Sequence, residues 1–108
     1  MSRCAHPVLV LLKRSLKKDK KYDAVIGKKT VSFGQRGASD YTIHKDPDRM
    51  ARYVTRHEKR EKWDVERGLK TAGFWSRWLL WNKPSLARAK KDMEAKFCLR
   101  IQQERRRP

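Results

Sequence analysis

The sequence predicts one small α+β domain, in which an N-terminal β-hairpin or meander packs on about three α-helices and both ends are extended and basic. Three observations predict this class. Residues 7–33 contain segments whose apolar side chains alternate, as they do in strands. The later residues carry helix start signals followed by apolar side chains at helical spacing. A length of 108 residues suits one domain.

The first predicted strand covers residues 7–13 and is apolar on both faces. A short chain with few other strands can hardly cover both faces. We therefore expect this strand to add to the sheet of another chain or to lie in a groove between subunits. Deleting residues 1–14 is then expected to leave the folded centre intact. The two faces are formed by Val8, Val10 and Leu12 and by Leu9 and Leu11.

A hairpin is predicted next, with arms at residues 22–26 and 29–33. Gly27 lies in the two-residue connection and can take the positive φ that tight hairpin turns require. Gly34 and Gly37 are expected to end the sheet.

The triplet Asp46-Pro47-Asp48 predicts a helix start, because Asp46 can cap free amides and Pro47 is preset for the first turn. The apolar face that follows is expected to be buried. Its members are Met50, Tyr53, Val54 and His57. In the preceding polar string, residues 39–46, we expect Asp40 to cap a turn and His44 to lie where the helix begins. Tyr41 and Ile43 are expected to enter the core from a short extended piece.

Residues 71–81 predict a short helix that is apolar round most of its circumference. The expected core residues are Phe74, Trp78 and Trp81. So many large rings exceed the need of a small core, so we expect Trp75 to face a partner, and Trp78→Ala to cost several kcal/mol. Arg77 is expected to stack on a neighbouring ring and to take part in the same contact.

The last predicted helix begins near Ser85 and continues past residue 97. Its apolar stripe consists of Leu86, Ala89, Met93, Phe97 and Ile101. The predicted organisation is an apolar and basic N-terminal arm at residues 1–17, a compact domain at residues 18–97 and a basic C-terminal end at residues 98–108.

The charge is unevenly distributed along the chain. The 29 Lys and Arg outnumber the 12 Asp and Glu, for a net charge of +17. Residues 1–36 carry +8, residues 37–82 carry +3 and residues 83–108 carry +6. The basic ends favour an acidic partner, which is an acidic protein surface, an anionic membrane or nucleic acid. No apolar run approaches the roughly 20 residues of a membrane-spanning helix.

Patterns of catalytic or ligand-binding residues are missing from the sequence. Cys4 and Cys98 are the two cysteines, which allows at most one disulfide, between the two ends, predicts no disulfide framework and favours a reducing compartment. The three histidines lack the paired spacing of a zinc site, and the glycines form neither a P-loop nor a dinucleotide fingerprint. We therefore expect no enzyme, no metal and no cofactor.

The middle of the chain resembles a family of small basic proteins of large eukaryotic double-stranded DNA viruses, the nucleocytoplasmic large DNA viruses. The resemblance covers residues 18–97. Its most specific strings are Phe33-Gly34, Ser39-Asp40-Tyr41-Thr42, His44-Lys45-Asp46, Arg49, Tyr53, Arg56-His57 and Gly73-Phe74-Trp75-Ser76-Arg77-Trp78-Leu79-Leu80-Trp81-Asn82-Lys83-Pro84. It implies a viral origin and a component of the particle, with internal membrane and icosahedral capsid, and it implies no catalytic residue.

Together these observations predict a minor capsid protein in the virion, on the inner side of the capsid. Its expected partners are the major capsid protein, other minor capsid proteins and the anionic surface of the inner membrane. The alternative is a protein that condenses the viral genome without sequence preference. The expected contact residues are Val8, Val10, Leu12, Trp75, Arg77, Arg105, Arg106 and Arg107. The tail at residues 102–108 is expected to find an acidic surface in the same assembly.

Overall fold

The computed structural model describes residues 6–104, and within them it confirms the α+β class. A four-stranded sheet in this region has the order β3-β2-β1-β4. The strands are β1 (Val8–Arg14), β2 (Lys20–Ile26), β3 (Lys29–Gln35) and β4 (Leu99–Gln103). The helices are α1 (Tyr41–His44), α2 (Pro47–His57), α3 (Val65–Gly68), α4 (Ala72–Trp75) and α5 (Leu86–Phe97), with a π-helical segment (Ser76–Leu80) directly after α4.

The predicted hairpin is confirmed as β2 and β3. The two strands pair antiparallel, and their last pair, Ile26 with Lys29, leaves a two-residue turn. Gly27 has φ +59° in this turn, a conformation that residues with a Cβ rarely adopt. The hairpin also contributes core side chains, since Ala24 and Phe33 are fully buried.

The expectation that the first strand docks on another chain is wrong. β1 pairs antiparallel with β2 on one side and parallel with β4 on the other, so both of its edges are used within the protein. Val10 and Leu12 are buried beneath the helices. The sequence does not predict this pairing, because the spacing of Phe97 and Ile101 indicates a helix where β4 forms.

The last helix ends earlier than predicted. Cys98 takes a left-handed conformation (φ 57°, ψ 54°) and terminates α5, and the chain then returns as β4. Ile101 therefore lies in a strand, opposite Val10, and does not extend the helical stripe. Because β1 and β4 complete the sheet, the predicted boundaries at 17 and 97 separate strands of one sheet.

The start of α2 is confirmed. The Asp46 side chain accepts hydrogen bonds from the amides of Asp48 (2.9 Å) and Arg49 (3.4 Å), and Pro47 occupies the first turn. Of the predicted apolar face, Tyr53 is buried, whereas the others are half-buried.

The polar string before α2 differs from the prediction. Asp40 is a cap as expected, but its carboxylate accepts from the amide of Thr42 (2.9 Å) and so starts the helical turn α1 in place of an extended piece. Ile43 consequently points outward and is 59% exposed. His44 lies at the start of α2 as predicted, where its Nδ1 accepts from the amide of Asp46 (2.9 Å).

The aromatic segment packs on one face of the sheet, but with a different ring at its centre than predicted. Trp75 is completely buried, and its indole N–H donates to the Leu69 carbonyl oxygen (2.7 Å). Trp78 and Trp81 are half-buried. The π-helical segment closes with a hydrogen bond from the Trp81 amide to the Ser76 carbonyl (3.0 Å), and this wider turn lets residues five apart share the buried side. The buried side chains of α4 and this segment are Phe74, Trp75, Leu79 and Leu80.

Candidate functional site

The predicted contact residues other than Arg77 fall into three groups in the structure. Val10, Leu12 and Trp75 are core residues, so their predicted role in partner binding is wrong. Val8 is 38% exposed at the start of β1. The predicted tail residues Arg105, Arg106 and Arg107 lie outside the described residues.

Arg77 confirms the predicted stacking but uses it within the fold. Its guanidinium carbon lies 4.5 Å from the ring centroid of Trp78 and 5.5 Å from that of Trp63. Nη1 also donates to the Trp81 carbonyl oxygen (2.7 Å). Burial lowers the pKa of Arg77, although Tyr53 and Asp92 oppose this effect. The guanidinium therefore supports the aromatic segment instead of facing a partner.

Tyr53 joins this aromatic region to α2. Its ring stacks parallel to Trp81, with 4.4 Å between centroids, and also stacks on His57 at 4.3 Å. Burial, followed by the carboxylate of Glu61, raises the pKa of Tyr53 to about 12. The phenol is thus neutral near pH 7, and its ring serves packing. His57 packs against this ring, in agreement with its predicted place on the apolar face of the helix.

The face of the sheet opposite the helices, here called the open face, presents an apolar patch. Its centre is formed by Leu9, which is 65% exposed, and by Leu11 and Val25, which lie opposite each other on β1 and β2. Arg100 on β4 pairs with Leu9. A shallow groove of about 260 Å³ lies over these residues. The sequence signal for this patch was the second apolar face of β1.

One carboxylate belongs to the open face, and it is satisfied internally. Asp23 is 4% exposed and accepts hydrogen bonds from Ser15 Oγ (2.6 Å), Ser32 Oγ (2.7 Å) and the Leu16 amide (3.4 Å). Burial alone would raise the pKa of Asp23, but these hydrogen bonds outweigh it and lower the pKa below its usual value. Asp23 therefore fixes the turn after β1.

This carboxylate predicts a pH dependence of stability. Its contribution is complete above the unfolded-state pKa of about 3.9 and is lost as the pH falls through the lower folded-state pKa. We expect Asp23→Asn to be less stable than the parent at pH 7 by about 1–3 kcal/mol, and the difference to shrink as the pH falls below about 4. Urea unfolding at several pH values measures it. Asp19→Asn, at an exposed carboxyl group, is the control, and a difference that is constant with pH would contradict the assignment.

A second groove, here called the basic groove, has a volume of about 780 Å³. Its lining includes Arg14, Lys21, Tyr22, Arg36, Ile43, Lys90 and Glu104. Arg36 is held in place by backbone carbonyls, since Nε donates to Lys20 (3.1 Å) and Nη2 to Ser15 (3.2 Å). Because backbone carbonyls carry no net charge, these hydrogen bonds position the Arg36 guanidinium without neutralising it.

The cations of the basic groove are largely unneutralised. Within residues 6–104, Arg14, Arg36 and Lys90 form no ion pair, whereas Lys21 is paired with Asp40 at 2.5 Å. Sequence reasoning missed this groove because its residues come from four separate stretches of the chain. The partial signal was the positive charge of residues 1–36 and 83–108, since both segments contribute cations to the groove.

Residues 6–104 contain no group of three or more His, Cys, Asp or Glu side chains arranged to hold a metal ion. None of the helices in this range combines the length and the hydrophobicity that a bilayer span requires.

Residues 10–57, from the third residue of β1 to the end of α2, match a family of unknown function, DUF5754. Neither a curated protein nor a solved structure matches the chain.

Proposed function

We propose that this protein is a non-enzymatic structural component of a large icosahedral double-stranded DNA virus particle, a minor capsid protein on the inner side of the capsid. The observation that carries the proposal is the open face, an apolar patch on the four-stranded sheet with Leu9 65% exposed at its centre. Patches of this kind on a small domain are typical of protein contact sites.

The charges around the patch define the chemistry of the partner. Arg100 and Lys13 border it, while its carboxylate, Asp23, is already occupied by hydroxyl donors. The complementary surface has an apolar centre with carboxylates at its border. The proposed partners are the major capsid protein and neighbouring minor capsid proteins.

The resemblance over residues 18–97 supports the viral part of the proposal. Several of its strings occupy structural positions in this fold. Asp40 and Asp46 cap α1 and α2, and the aromatic string forms the core beneath the sheet. The resemblance therefore concerns residues that specify the fold, while the open face supports the function.

The test is incorporation into particles of the virus that encodes the protein. Leu9→Ser on the open face is expected to lower the number of copies per major capsid protein several-fold, measured by quantitative mass spectrometry of purified particles. The control is Ala95→Ser, because Ala95 is exposed on α5, on the other side of the sheet, and lines neither the open face nor the basic groove. Parental incorporation of Leu9→Ser would overturn the proposed docking surface.

A second candidate function is sequence-independent binding of the viral genome. It is favoured by the outer side of α2 and the residues after it, which are exposed and form no ion pair with described residues. These cations are Arg49, Arg52, Arg56, Lys59 and Arg60. Stepwise disruption of particles discriminates the two functions, because a capsid protein stays with the shell and a genome-binding protein stays with the DNA.

A further inference from the structure

We infer that the basic groove and its rim bind an anionic lipid surface, with headgroup phosphates held by the groove cations and two aliphatic side chains, Leu16 and Ile43, inserted beside them. The proposal deepens the proposed function by naming a second partner. It rests on residues other than those of the open face, so the two can fail independently.

The first argument is the position of exposed apolar side chains. Four large hydrophobic residues are exposed among residues 6–104. Val8 and Leu9 belong to β1, while Leu16 and Ile43 border the basic cavities. Ile43 lines the basic groove, and Leu16 lines an adjoining groove of about 290 Å³ that shares Arg14, Arg36 and Glu104 with it.

The exposure of Leu16 is imposed by the fold. Its amide donates to the Asp23 carboxylate (3.4 Å), and the next amide, of Lys17, donates to Ser15 Oγ (3.1 Å). The turn is therefore held with the Leu16 side chain outward, at 86% exposure. A leucine held in water by a hydrogen-bonded turn gains free energy when an apolar phase covers it.

The second argument is the charge beside these side chains. In the sequence, Leu16 lies between Arg14 and the consecutive lysines Lys17 and Lys18, and Arg36 lines both the groove of Ile43 and that of Leu16. Stable membrane association takes two signals, and an apolar insertion with a basic cluster supplies both. Glu104, the acidic residue of the groove, is followed in the sequence by three arginines.

The same cations could meet a nucleic acid, but the apolar residues favour lipid. Proteins that bind single strands stack the bases on exposed aromatic rings. The ring in the basic groove, Tyr22, is half-buried and packs on Phe33, with 5.9 Å between centroids. The exposed side chains at the rim are instead aliphatic, which suits acyl chains.

The experiment measures binding of the full chain to phosphatidylcholine vesicles with and without phosphatidylserine, by flotation. We expect the protein to bind only the vesicles that contain phosphatidylserine, and we expect this binding to weaken as salt is added. Leu16→Ser combined with Ile43→Ser should lower the partition coefficient about tenfold. Arg14→Gln should lower it about fivefold.

Matched variants give the outcomes their meaning. Leu9→Ser and Arg52→Gln remove an exposed leucine and an exposed arginine elsewhere, and parental binding by both supports the assigned surface. A loss with Leu9→Ser equal to that of the double serine variant would overturn it. The lipid proposal is wrong if the double serine variant binds vesicles like the parent and Arg14→Gln weakens binding to single-stranded DNA about fivefold. The groove is then a nucleic-acid site.

Discussion

Trp75→Ala is expected to lower the free energy of unfolding by about 3–5 kcal/mol. Trp75 is the largest fully buried side chain and lies 5.8 Å from the Phe33 ring of the sheet, between centroids. Its removal leaves a cavity between the helices and the sheet and also removes the donor to the Leu69 carbonyl. Equilibrium urea unfolding followed by circular dichroism measures the effect.

Trp78→Ala is the matched control for this prediction. Trp78 is half-buried, and its ring is bounded by Arg77 on one side and by Lys96, whose Nζ lies 4.2 Å from the ring centroid. Because Trp78 is half-buried, water can fill part of the space that its ring leaves. The loss in free energy of unfolding should therefore be smaller for Trp78→Ala than for Trp75→Ala. The opposite order would return Trp75 to the partner-facing role that the sequence predicted.

Leu12→Ala is expected to cost about 2–5 kcal/mol, because Leu12 is fully buried at the centre of β1. Leu9→Ala, on the same strand but on the open face, is expected to change stability by less than about 0.5 kcal/mol. The pair compares a leucine in the core with a leucine exposed on the open face. Thermal and urea unfolding of both variants measure the difference.

The result also bears on the N-terminal deletion. Removing residues 1–14 eliminates the strand that joins β2 to β4, so we now expect it to prevent folding instead of leaving an intact centre. If Leu12→Ala were as stable as the parent, β1 would not belong to the core and the docking-strand interpretation would be restored.

Local features were predictable because neighbouring residues determine them. The Gly27 turn requires a positive φ, and the caps at Asp40 and Asp46 need a carboxylate beside free amides two or three residues on. Alternation along β1 identified it as a strand with two apolar faces. The excess of basic residues predicts an acidic partner, and this stays a prediction.

The tertiary structure alone decided which apolar face is buried and where the chain ends its last helix. The spacing of Met93, Phe97 and Ile101 is helical, yet the left-handed Cys98 converts the final residues into β4, which pairs with β1 across almost the whole chain. The parallel pairing with β4 occupies one hydrogen-bonding edge of β1, and the Leu9 side chain stays exposed on the open face of the sheet. The basic groove likewise combines Arg14, Arg36 and Lys90, whose proximity no local pattern encodes, because long-range packing determines which distant segments meet.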